Sequence, residues 1–156
     1  MDIDEKMSLA VEHARVALQN SEMPIAAIVF LDNKVVAKAY TTEKMEKRYL
    51  VHAELNALID ADKRGYAISE RKKMQLFTTL EPCLMCFGAA MSFFIGEIYF
   101  SLSAPDDGSS RLIDFDKFDQ KFLKFQKPVC TGGIRSAESK ALFLEYMKKV
   151  ERGIGN

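Results

Sequence analysis

Apolar runs of strand length alternate with segments of helical spacing along most of this 156-residue chain. The run PIAAIVFL at 24–31 predicts a buried strand, and the turn DNK leads into KVVAKAYT, which predicts a hairpin partner. Further strands are predicted at 73–79 and 96–101, and KPVCT at 127–131 is a candidate for the last one. This alternation favours a layered α/β domain with one central sheet, which the hairpin makes mixed rather than purely parallel.

Helical patterns lie between these strands. They cover residues 3–20, the segment HAELNALIDADKRG that ends at Gly65, the apolar segment CLMCFGAAMSFF and the closing amphipathic segment AESKALFLEYMKKVERG. The polar segment TEKMEKRY is expected to be a loop. A further helix that packs on the core, or alternatively a lid over a pocket, is predicted from the spacing of Phe115, Phe118, Phe122 and Phe125. We expect residues 1–156 to form a single domain.

Charge and cysteine content narrow the functional classes. The chain has 22 basic and 22 acidic residues and a formal net charge of zero, which does not support strong non-specific attraction to nucleic acid. The first residues do not resemble a secretory signal, and no run of about 18 apolar residues predicts a membrane span. Three cysteines in such a chain predict a reduced, cytoplasmic protein rather than a disulfide scaffold.

The segment TTLEPCLMC carries a cysteine pair, Cys83 and Cys86, at the start of a predicted helix. By itself this pair could be a redox dithiol, half of a zinc knuckle or part of a buried core. Pro82 suits the first turn of that helix, because proline lacks an N–H that would have no partner there. His52 opens the preceding helix in VHAELNA, with Glu54 two residues later. Both groups therefore lie at helix N-termini, and two adjacent helices could bring them together.

One histidine and two thiolates would make three protein ligands. Zinc is tetrahedral, so this set leaves a fourth position open for water, as in catalytic rather than structural zinc sites. Thiolate ligands favour zinc over magnesium or calcium. A carboxylate near that water could take up its proton and pass it to a leaving group, and Glu54 has the chemistry and the position for this role.

The order H-x-E followed by P-C-x-x-C is the signature of zinc-dependent deaminases. Together with MPIAAIVF, HAELNAL, LFTTLEPCLMCFGAAM and IGEIYF, it resembles the cytidine deaminase-like superfamily, and most of all its branch of tRNA adenosine deaminases and guanine deaminases. The resemblance implies that zinc is held by His52, Cys83 and Cys86, and that Glu54 shuttles protons during hydrolytic release of ammonia.

The same resemblance implies substrate contacts and a fold. The backbone N–H of Ala53 and the backbone carbonyl of Glu81 would contact the substrate ring or its leaving amine. The fold would be a three-layer α/β/α sandwich with a central mixed five-stranded sheet. Members of the family are usually dimers or tetramers, and we expect a homodimer here. Thr41 stands where the two branches typically carry an asparagine that contacts the base, and Ser103-Ala104 replaces an Arg-Asp pair typical of the tRNA enzymes.

We expect a zinc hydrolase that deaminates a small nucleobase or nucleoside. One alternative is deamination of the wobble adenosine in tRNA, which the sequence around the cysteines and three cations on the last helix, Lys148, Lys149 and Arg152, would support. These cations also suit a solvated helix end, where they complement the helix dipole. The other alternative is a non-catalytic zinc-binding fold, against which Glu54 argues, since a structural site needs no carboxylate beside an open position.

Overall fold

A computed structural model describes residues 1–109 and 127–153 of the chain. The helices in these ranges are α1 (Ile3–Gln19), α2 (Glu43–Glu46), α3 (Ala53–Asp62), α4 (Ile68–Arg71), α5 (Leu84–Phe93) and α6 (Ser136–Glu151). The strands are β1 (Ala26–Leu31), β2 (Lys34–Tyr40), β3 (Met74–Leu80), β4 (Glu97–Leu102) and β5 (Val129–Thr131). The helix predicted around the four phenylalanines lies outside the described residues.

The strands form one mixed sheet in the order β2-β1-β3-β4-β5. Strand β1 pairs antiparallel with both β2 and β3, whereas β3, β4 and β5 run parallel. The β1–β2 hairpin turns at Asp32, whose φ of 54° lies in the left-handed region that aspartate tolerates better than most residues. The carboxyl ends of β2, β3 and β4 therefore meet the amino end of β1 at one edge of the sheet.

Helices cover both faces of the sheet, as the predicted three-layer α/β/α sandwich requires. On one face α1 and α6 pack over the aromatic side chains of Phe30, Phe77 and Tyr99. The ring centroid of Phe77 lies 5.4 Å from that of Phe30 and 4.7 Å from that of Tyr99. On the other face α3 and α5 lie side by side over the aliphatic residues of β1, β3 and β4. This confirms the predicted fold class, and it places the starts of α3 and α5 next to each other.

Two short helices differ from the sequence prediction. Helix α2 lies in the polar segment expected to be a loop, and α4 follows Gly65 without a prediction. The carboxylate of Glu22 accepts hydrogen bonds from the backbone N–H groups of Lys44 and Met45, at 3.2 and 2.7 Å, and so satisfies the amino end of α2. A contact across more than twenty residues leaves no local pattern in the sequence, which is why α2 was missed.

Within residues 1–109 and 127–153, no helix has the length and apolar character needed to cross a membrane.

Candidate active site

Helices α3 and α5 begin at the sheet edge where β2, β3 and β4 end, and each begins at a residue singled out in the sequence. His52 is the N-cap of α3, and Cys83 is the N-cap of α5, with Cys86 in its first turn. Pro82 therefore lies one residue before the cap, not in the first turn as predicted. Both cap residues have extended backbone angles, so the chain turns sharply into each helix.

The side chains of these three residues converge. The Sγ atoms of Cys83 and Cys86 each lie 3.6 Å from Nδ1 of His52, and all three donor atoms lie within 4.8 Å of one another. A tetrahedral zinc ion with Zn–N near 2.05 Å and Zn–S near 2.3 Å needs an N···S separation of about 3.6 Å. The separations and the donor types therefore fit zinc, and the three residues leave room for one non-protein ligand.

Hydrogen bonds among the three donor groups shift their pKa values. Hydrogen bonds from Cys86 and His52 lower the pKa of Cys83 to about 3. The hydrogen bond to Cys83 raises the pKa of His52 to about 9, and hydrogen bonding to Cys83 together with burial raises the pKa of Cys86 above its ordinary range. The lowered pKa favours the thiolate form of Cys83, which binds soft metal ions, and binding of a cation by all three groups would release the remaining protons.

Glu54 lies beside this cluster on the first turn of α3, where it is only 3% exposed. Burial raises the pKa of its carboxyl group, and a hydrogen bond from Thr78 opposes that shift in part. The Thr78 hydroxyl lies 3.1 Å from Oε1 of Glu54. A buried carboxyl whose proton affinity is raised is suited to take up a proton and give it back.

A pocket of about 180 Å³ opens onto Glu54 and the cluster. This is smaller than the roughly 300–1,000 Å³ of pockets that hold drug-sized ligands, so it suits a small ring. Its apolar walls come from Met23 and Ile25, just before β1, and from Leu80 at the end of β3. Its other lining residues are Thr41, Glu43, His52, Ala53, Glu54, Glu81, Cys83 and Asp107.

The three substrate-contact residues predicted from the resemblance all line this pocket. Thr41 is 2% exposed, and its hydroxyl lies 3.4 Å from the carbonyl oxygen of Val51. Ala53 is the first residue of α3, where backbone N–H groups have no partner within the helix. The side chain of Glu81 accepts a hydrogen bond from the backbone N–H of Ala104 at 3.0 Å, which ties the loop after β4 to the pocket floor.

That loop approaches Glu81 very closely at Gly108. A Cβ atom at this position would overlap the Glu81 carboxylate and the Ala104 carbonyl oxygen, so only glycine fits.

Sequence reasoning missed three polar residues of this region, Thr78, Glu43 and Asp107, as well as the apolar residues of the pocket wall. Thr78 could have been noticed as a polar residue near the end of an otherwise apolar strand. Glu43 and Asp107 lie in segments whose sequence carries no pattern that places them at the pocket.

Comparisons with known proteins agree with this geometry. Residues 1–102 match the model of the cytidine and deoxycytidylate deaminase zinc-binding region. The tRNA-specific adenosine deaminase of Bacillus subtilis is 30% identical over 146 residues, which cover 92% of this chain and 89% of that protein.

Solved structures are similar over most of the chain. A transfer-RNA deaminase that performs A-to-I editing at the wobble position superposes with a TM-score of 0.72 at 27% identity, covering 87% of this chain and 96% of that one. A guanine deaminase from Nitrosomonas europaea shares the fold, with a TM-score of 0.76 at 22% identity over 93% of this chain and 84% of that one. The chain therefore belongs to the cytidine and deoxycytidylate deaminase zinc-binding family and is a zinc-dependent hydrolytic deaminase.

Proposed function

We propose that this deaminase acts on a small amino-substituted nucleobase or nucleoside. In this proposal His52, Cys83 and Cys86 hold the zinc ion, and Glu54 moves the protons. The observation that carries it is the position of Glu54, buried on the wall of a small pocket directly beside the three donor groups. A non-catalytic zinc site would gain nothing from a buried carboxyl group there, since burying it costs free energy.

Zinc bound to these residues would supply Lewis acidity and a water molecule that ionises near neutral pH. Glu54 accepts one proton from the attacking water and delivers it to the ring nitrogen next to the reacting carbon. It then carries the second proton to the amino nitrogen, so that the C–N bond breaks with ammonia as the leaving group. The Ala53 N–H and the Glu81 carbonyl oxygen orient the ring and its amine. Water provides the oxygen of the product carbonyl, so the reaction balances.

Deamination of adenosine in tRNA is the second candidate. It is favoured by the relative from Bacillus subtilis, whose name describes a tRNA-specific adenosine deaminase. Of the three cations at the end of α6, Lys149 pairs with Glu145 at 3.1 Å on the same helix, which weakens the support that this group gives to RNA contact. We therefore place the small-molecule substrate first.

We also propose that the chain acts as one deaminase domain in the cytoplasm and forms a homodimer. All three cysteines are free thiols, as a reducing compartment would keep them.

Several large apolar side chains are exposed on α2, α3 and α5 and in the segment after α2. Such a group of exposed apolar side chains suits an interface with a second copy of the chain. These residues are Met45, Tyr49, Leu50, Ile59 and Leu84. Sedimentation analysis of wild type and of Ile59→Glu tests this, with dissociation to monomer expected in the variant.

An ammonia-release screen tests the substrate proposal. Zinc-loaded protein is assayed against purines, pyrimidines, their nucleosides and a tRNA anticodon arm, with Glu54→Gln protein as the matched control for contaminating activity. We expect release from a free base or nucleoside that is absent with the variant. Release from the RNA alone would replace the first candidate with the second.

A further inference from the structure

The carboxylate of Glu43 lies on the pocket wall. It has no role in the proposed proton transfers, and it is not one of the predicted zinc ligands. It projects from the first residue of α2, and its Oε1 atom lies 3.5 Å from Nε2 of His52, the ring nitrogen opposite the one that faces the cysteines. A carboxylate has acceptor capacity on both oxygens, so this contact leaves Oε2 able to accept a hydrogen bond from a bound molecule.

Helix α2 is held in place, which makes Glu43 a fixed part of the wall. Glu22 is 1% exposed, and its carboxylate binds the N–H groups of Lys44 and Met45. On either side of α2, the N–H of Thr42 donates to the carbonyl oxygen of Val51 at 3.2 Å, and the N–H of Arg48 donates to the carbonyl oxygen of Glu43 at 3.2 Å.

Other polar groups of the pocket are already engaged. Glu54 is bound by Thr78, the Glu81 side chain by the N–H of Ala104, and the Thr41 hydroxyl points to the carbonyl oxygen of Val51. Among the described lining residues there is no lysine or arginine. Within the same part of the chain, neither Glu43 nor Asp107 forms an ion pair with a lysine or arginine. Apart from the Ala53 N–H, the described protein groups of the pocket thus offer mainly hydrogen-bond acceptors and negative charge.

We propose that Glu43 determines substrate specificity: its carboxylate accepts a hydrogen bond from a second amino group, attached to a ring carbon remote from the reacting one. The pocket then selects amino-heterocycles that carry this second amino group. Glu43 and Asp107 together disfavour substrates that carry a phosphate, because like charges at the pocket repel them. This inference rests on the proposed function, since it concerns the substrate class of the same site.

Two pairs of probes test the inference. Adenine and 2,6-diaminopurine present the same reacting amidine, but only the second has an additional amino group. Adenosine and adenosine 5′-monophosphate differ only in the phosphate. Dissociation constants are measured by calorimetry in the zinc-loaded Glu54→Gln background, where turnover does not interfere, and kcat/KM ratios in wild type give a second measurement.

We expect 2,6-diaminopurine to bind at least about tenfold more tightly than adenine, because a hydrogen bond to a charged acceptor typically strengthens binding by that factor or more. Adding Glu43→Gln replaces the charged acceptor with a weaker, neutral amide oxygen, so it should lower that ratio several-fold without changing the zinc content. Glu46→Gln is the matched control on the same helix, because the Glu46 carboxylate is bound by Thr42 and Arg48; it should leave the ratio unchanged. The monophosphate should bind at least about tenfold more weakly than adenosine, and Asp107→Asn should reduce that penalty.

Equal affinity for adenine and 2,6-diaminopurine, or no binding of either, overturns the assignment. It is also overturned if Glu43→Gln lowers the zinc content and weakens both probes equally, because Glu43 would then only hold His52. If the binding ratios behave as expected but wild-type protein releases ammonia from no base or nucleoside, the proposed function fails and the role of Glu43 in binding stands.

Discussion

The hydroxyl group of Thr78 lies 3.1 Å from Oε1 of Glu54, and it lies at the same distance from the carbonyl oxygen of Leu80. A hydroxyl has one hydrogen and can donate to only one of these acceptors at a time. When Glu54 is ionised, Thr78 donates to it. When Glu54 is protonated, it can donate to Thr78, whose hydrogen then turns to the Leu80 carbonyl. Thr78 is therefore a suitable partner for both protonation states of Glu54.

The first prediction follows from this pair. Thr78→Val keeps the shape of the side chain but removes the hydroxyl, so Glu54 loses its orienting partner. We expect kcat to fall about tenfold, with a smaller change in KM and normal zinc content. Steady-state kinetics and metal analysis measure this. Thr78→Ser restores the hydroxyl and should recover most of the rate; equal losses in both variants would exclude a role for the hydrogen bond.

Glu54 itself should be essential for turnover but not for zinc binding. Glu54→Gln preserves the shape of the side chain and removes the base. A positioned general acid or base contributes about a hundredfold to ten-thousandfold, so we expect a loss of at least about a hundredfold in kcat. Activity and zinc content are measured on the same preparation. Near wild-type turnover in a zinc-loaded variant would refute the proposed proton transfers.

The raised pKa of Glu54 predicts how stability depends on pH. In the unfolded chain the carboxyl has a pKa of about 4.3, whereas the native state holds the proton to higher pH. The native state thus binds more protons than the unfolded chain above pH 4.3, and the contribution of Glu54 to the free energy of unfolding decreases as the pH rises.

Urea unfolding of chelator-treated protein measures this dependence. The free energy of unfolding of wild type, minus that of Glu54→Gln, should decrease as the pH rises above about 4.5. Glu12→Gln, at a side chain that is 66% exposed, serves as the control and should give a flat difference. A flat difference for Glu54→Gln as well would contradict the prediction.

Of the three cysteines, Cys83 and Cys86 should bind zinc, whereas Cys130 should not. Cys83→Ala removes a donor atom from the cluster, so most of the zinc should be lost, and because metal binding is coupled to folding the thermal midpoint should fall too. Cys130 is a half-buried thiol on β5, with its Sγ 3.6 Å from the carbonyl oxygen of Pro128. Cys130→Ser should keep about one zinc per chain and full activity. Full zinc retention in Cys83→Ala would remove it from the ligand set.

Thr41 should influence which substrate is preferred. It is buried on the pocket wall at the end of β2, and Asn in its place would offer the ring both a donor and an acceptor. We expect Thr41→Asn to change relative kcat/KM values among bases and nucleosides several-fold while leaving the zinc content unchanged. An identical substrate profile in wild type and variant would show that Thr41 does not contact the substrate.

The sequence alone was enough to predict the main elements and the fold class. Apolar runs mark the buried strands because both faces of those strands are covered, and apolar periodicity marks the long helices because each buries one side. His52 and the cysteine pair could be placed at helix starts because capping and the residues that follow are local features. The donor set could then be recognised as zinc-binding from the chemistry of imidazole and thiolate.

Only the tertiary structure decided which of these residues meet. Parallel pairing of β3 with β4 and the packing of α3 against α5 bring His52 to 3.6 Å from both cysteine sulfurs, across about thirty residues of chain. Helix α2 and its Glu43 depend on the buried carboxylate of Glu22, and the hydroxyl of Thr78 reaches Glu54 from a different strand. These contacts join distant segments, so no local pattern records them, and the tertiary packing determines the acceptors that face the substrate.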